Sequence, residues 1–74
     1  MLNELDPVVL TRDLPGASLA AGDIGTVVHR YADAQYEVEF VAGSGRTVAV
    51  LTLSGPDVRT VGPGEILRAR QLAS

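Results

Sequence analysis

The chain of 74 residues holds one histidine, His29, and no cysteine. Nucleophilic catalysis needs a base beside a serine, threonine or cysteine. His29 lies in Ile24-Gly25-Thr26-Val27-Val28-His29-Arg30-Tyr31, where strand alternation puts it on one face with Val27 and Tyr31. A single histidine so placed is expected to be structural or simply exposed. A metal site of nitrogen and sulfur ligands lacks its donors, since there is no second histidine and no thiolate. Asp13 and Asp23 bracket a loop without the dense acidic spacing of a calcium site. No catalytic residue, metal or cofactor is expected, and we read the chain as not an enzyme.

Glu37 and Glu39 project from the same strand face, about 7 Å apart from the strand rise. Paired carboxylates do acid–base work only inside a cleft that shifts their pKa values. A domain this small offers no deep cleft, so a solvated face is expected. Gly43-Ser44-Gly45 and Gly62-Pro63-Gly64 are turns, because a phosphate-binding loop needs a lysine and a following helix. Asp23 and Asp57 are expected to hold turns by accepting backbone N–H bonds. All six basic residues are arginine. Arg59, Arg68 and Arg70 cluster near the C-terminus and form a candidate basic strip. The bland alternative is a solvated face, or pairing with Glu37 and Glu39 across the sheet, which stabilises little.

The elements that must carry these residues are short. Glycine and proline recur at close intervals between runs of valine, leucine, isoleucine and threonine, the pattern of many short strands joined by turns. No stretch has capped helical periodicity. Strands are expected at Pro7–Thr11, Ile24–Tyr31, Tyr36–Val41, Arg46–Leu53 and Glu65–Leu72. Tyr36, Val38 and Phe40 alternate with Glu37 and Glu39, so one face is buried and the other wet. Val48, Ala49, Val50 and Leu51 read apolar on both faces, which predicts a central strand. Ser54-Gly55-Pro56-Asp57 predicts a turn or one turn of 3-10 helix, followed by a short extended piece at 58–61. Residues 12–23 form a long first loop. Five such strands cannot make two full sheets, but they can close into a small bent barrel without open edges. The expectation is one all-β domain over 1–74, a five-stranded SH3-like barrel with a short 3-10 turn before the last strand. One thin core should supply only about 3–5 kcal/mol.

DPVVLTRDLPGASLAAGDIGTVVHRY, then YEVEFV, RTVAVLTL and EILRARQL, resemble a family of small bacterial proteins catalogued as domain of unknown function 4926. The resemblance runs from about Leu5 to Leu72. It implies an SH3-like barrel and supplies neither an activity nor functional residues. A looser similarity links the second-strand start, Gly22, Asp23, Gly25 and Val27, to ferredoxin-docking subunits of photosynthetic complexes and to KOW motifs. Those four are turn and core residues, and fold does not imply function.

Composition narrows the partner. The formal net charge is -3, so phosphate backbones repel the chain unless its arginines cluster. The N-terminal residues have acids where a signal peptide has basic residues, and no apolar run approaches a membrane span. The absence of cysteine fits a reducing compartment. We expect a bacterial, cytoplasmic protein-interaction module that docks on another protein, with no membrane contact. Leu14, Pro15 and Leu19 are its candidate surface because the 12–23 loop is oddly apolar and either binds or packs on the barrel, and the likeness to SH3-like domains implies that Tyr31 and Pro56 lie near the same groove. A KOW-like nucleic-acid-binding barrel is the alternative, as is an accessory subunit or antitoxin-type partner of a neighbouring gene product. The open edges blunted by Pro7 and by 58–61 predict a monomer or weak homodimer.

Overall fold

In a computed structural model, which describes residues 2–72, five antiparallel strands form one sheet. They are β1 (Pro7–Leu10), β2 (Ile24–Tyr31), β3 (Gln35–Val41), β4 (Thr47–Ser54) and β5 (Val58–Thr60). Two single turns of 3-10 helix, Pro15–Ala17 and Gly55–Asp57, complete the regular structure. The order across the sheet is β4-β3-β2-β1-β5. The all-β architecture and the 3-10 turn before the last strand are as the sequence predicts. Hydrogen bonds do not close the sheet into a barrel, because β4 and β5 remain its two edges.

Alternation builds the core. Tyr36, Val38 and Phe40 of β3 face inward with Leu53 of β4, Val27 of β2, Val8 and Leu10 of β1 and Val58 of β5. Glu37 and Glu39 face outward on the same strand. Gly25 is buried beneath the side chains of Val38 and Phe40. A Cβ on it would stand 2.6 Å from Val38 and 2.8 Å from Phe40, so only glycine permits this close approach.

Four expectations are corrected. The last strand is Val58–Thr60, and Glu65–Leu72 is not a strand. A strand needs a ladder partner, and the free side of β1 is already taken by β5 (Val9 opposite Arg59). After Gly62-Pro63-Gly64, the Glu65 carboxylate accepts the Gly62 N–H at 2.6 Å and folds the chain back on itself. β4 is an edge, not a central strand, so its second apolar row is partly wet, with Val50 48 % exposed. Pro7 does not blunt an edge, because β1 lies between β2 and β5. Proline is tolerated there as the first residue of the strand. Finally, the β2–β3 ladder shifts register between Val27 and His29. That bulge turns Val27 fully inward while His29 stays exposed, so the two do not share a face.

Candidate functional site

The first loop is one place to look for a binding surface, and its apolar side chains point inward. Leu14 and Leu19 face each other as an isolated bridge, with N–H to C=O bonds of 2.8 and 3.1 Å in both directions. Leu19 is buried, and Leu14 and Ala17 pack against the core. The loop therefore packs on the sheet, since burying these residues costs less than solvating them. Of the candidate surface only Pro15, Tyr31 and Pro56 are exposed. Tyr31 and Pro56 lie at one end of the sheet, where the Gly55 N–H bonds the Ala34 carbonyl at 3.0 Å. The Tyr31 hydroxyl donates to Glu37 at 3.2 Å, which raises the phenol's pKa. Its ring meets the edge of His29 at 4.5 Å, and His29 Nδ1 lies 3.5 Å from Glu4.

The basic strip is not a strip. Arg59 is held by Glu65 through two bonds of 2.5 and 2.7 Å. This pairing, with the Gly62 N–H, pulls the Glu65 carboxyl down to about 2. Arg70 clasps Asp23 through two bonds of 2.6 Å and also donates to the Ser18 carbonyl at 3.1 Å. The same Asp23 accepts the Ala20 N–H at 2.9 Å, the turn role its position predicts, and its pKa falls chiefly through the arginine. Asp57 plays the matching role at the second 3-10 turn. It accepts the Ser54 N–H at 3.0 Å and Arg12 at 2.8 Å, and the arginine bond leads the lowering of its pKa. Glu39 accepts a hydroxyl bond from Thr47 at 2.7 Å. Neither Glu37 nor Glu39 pairs with an arginine of the cluster.

The site that does form lies at the other end of the β2–β3–β4 ladder. There the chain after Gly64 crosses back near the β3–β4 hairpin, anchored by Arg70 on Asp23. The two walls enclose an open groove of about 650 Å³. Leu19, Ile24, Phe40, Val48 and Leu72 give it an apolar lining, and Arg46, Arg68 and Arg70 border it. Three of the chain's six arginines thus line one groove, with Asp23 the single acid among its lining residues. Asp23 is already matched by Arg70. The side chains of Arg46 and Arg68 have no hydrogen-bond or ion-pair partner among the described residues. An arginine fork without a carboxylate is an unused bidentate donor. Arg68 also borders a smaller cavity of about 150 Å³ with Val9, Ile24 and Leu67.

Sequence reasoning misses Arg46 because it looks like the first residue of a strand. It misses Glu65 for the same reason. The groove has no local signal, since its walls are far apart in sequence and are tied by Arg70 to Asp23 and the Ser18 carbonyl. Among the described residues no group of three or more histidines and acids is placed to hold a metal ion. Among the described residues no helix is long and apolar enough to cross a membrane.

Residues 4–60 match the model of a family described as a domain of unknown function, DUF4926. The chain belongs to that family. The match ends with β5, so the segment that forms one wall of the groove lies beyond it. Comparison with curated proteins and with solved structures yields no match.

Proposed function

We propose that this chain is a non-catalytic, cytoplasmic docking module with an SH3-like strand order, which receives an acidic segment of another protein in the arginine-lined groove. The observation that carries the reading is the pairing of an apolar groove lining with two uncommitted arginines, in a chain whose formal net charge is -3. Local positive charge on an acidic protein favours an anionic partner at that spot and repels it elsewhere. A volume of this size suits a few side chains of a peptide. Asp23, Asp57 and Glu65 are each engaged by an arginine and a backbone N–H, which fits structural roles for them.

A tagged chain, incubated with extract of its native cells before and after nuclease, tests this. A stoichiometric protein is expected to survive nuclease and to be lost from the Arg46→Glu/Arg68→Glu double variant. Recovery that vanishes with nuclease would move the assignment to nucleic acid. Protein recovery unchanged in the double variant would remove the groove from the interface.

A further inference from the structure

The two edges of the sheet are unlike, and the difference concerns self-association. β5 is three residues long, and beyond it the chain turns back through the Arg59–Glu65 pair. Short length and charge are the devices that protect an edge from pairing. β4 has neither. Its eight residues, TVAVLTLS, include no charge and no proline. One side of β4 is laddered to β3. On the other side no backbone group of the described chain bonds it, and only the Ser54 N–H is occupied, by Asp57. Val50 at its centre is 48 % exposed.

We infer that β4 is the pairing edge for a second copy of this chain, antiparallel about a two-fold axis at Val50. A two-fold axis normal to the sheet maps inner face onto inner face, so residue numbers opposite each other must sum to an even value. Centring on Val50 sets Val50 against Val50 of the second copy, and Ala49 against Leu51. Apolar meets apolar on both faces, and cross-strand valine pairs are favourable. The antiparallel sense also brings the Arg46 end of one β4 to the Ser54 end of the other. The Arg46 side chain has no partner among the described residues, while Glu37, opposite Thr52 on β3, is the carboxylate near the Ser54 end that no arginine holds, Asp57 being already taken by Arg12. The ends are thus complementary in charge, and the strand between them carries none. The paired edges would form one ten-stranded sheet whose only outer edges are the protected β5 strands.

Sedimentation equilibrium of the full chain up to millimolar concentration reads this directly. The mass is expected to rise from 7.7 kDa toward twice that value, and Val50→Lys is expected to hold it at the lower one. The chain lacks cysteine, so Val50→Cys supplies a single thiol. A short bis-maleimide should link it into dimer several-fold faster than Val41→Cys, which is 50 % exposed on β3. A native chain that stays at 7.7 kDa, or equal cross-linking of the two cysteine variants, overturns the inference. So does a dimer that Val50→Lys leaves intact. The lysine variant's circular dichroism, compared with native, confirms that the substitution acts on association and not on folding.

Discussion

The edge strands β4 and β5 are both valine-bearing runs, yet they differ in length and do opposite jobs. β5 turns Val58 into the core and surrounds it with charge pairs and a 3-10 turn. β4 contributes Leu53 to the core but leaves Val50 in water. Two valines on two edges therefore carry different free energies. An edge is protected by the residues that come after it in the chain as much as by its own. Glu65, five residues beyond β5, clamps Arg59, while β4 runs directly into the 3-10 turn with nothing folded over its outer side.

The largest expected effect tests that contrast. Val58→Ala empties a buried site and should cost on the order of 2 kcal/mol, read as a shift in urea midpoint at constant slope. Val50→Ala in dilute, monomeric protein should change stability by less than about 0.5 kcal/mol. Equal losses would mean that the edges are equivalent. Next comes the turn that leads into β5. Asp57→Ala removes both the Ser54 N–H acceptor and the Arg12 partner, and the lost cap should cost about 1–2 kcal/mol. A change within error would show that β5 holds its place without the turn.

Acid should open the clamp beyond β5. The folded pKa of Glu65 is lowered from 4.5 to about 2, so its pairing with Arg59 is intact above 4.5 and is lost as pH falls toward 2. The amide proton of Gly62, which donates to Glu65, should titrate over that window, and in Arg59→Gln its midpoint should move up. An amide that titrates at the ordinary carboxylate value in the native chain would contradict the clamp. The smallest effect lies at the β2–β3 turn, whose Ala34 carbonyl receives the Gly55 N–H at the junction of β4 and the 3-10 turn. Ala34 has φ of 56°, a left-handed conformation that costs a side-chain-bearing residue about 1–2 kcal/mol. Ala34→Gly should therefore raise the thermal midpoint slightly, by a net gain of about 0.5 kcal/mol after the entropy of glycine is counted. A lower midpoint would mean that the alanine methyl makes contacts worth more than its strain.

Much of the fold was legible in the residues. The alternation of Tyr36, Val38 and Phe40 with Glu37 and Glu39 decided which face of β3 is buried. Gly22, Gly45 and Pro56 placed their turns, and Gly25 announced a close approach that its neighbours confirm. These are local properties, set by strand period and by allowed backbone angles. Of the candidate site, the sequence alone marked Arg68 and Arg70 but put them on a strand that does not exist. Tertiary structure decided the rest, because partners distant in the chain compete for one position. β5 took the free side of β1 and so denied residues 65–72 a ladder. The sheet stayed open and made β4 an edge despite its apolar sequence. Arg70 reached Asp23 across 47 positions and the Ser18 carbonyl across 52, and that long-range anchor, which no spacing rule encodes, turned a tail into the wall of a groove.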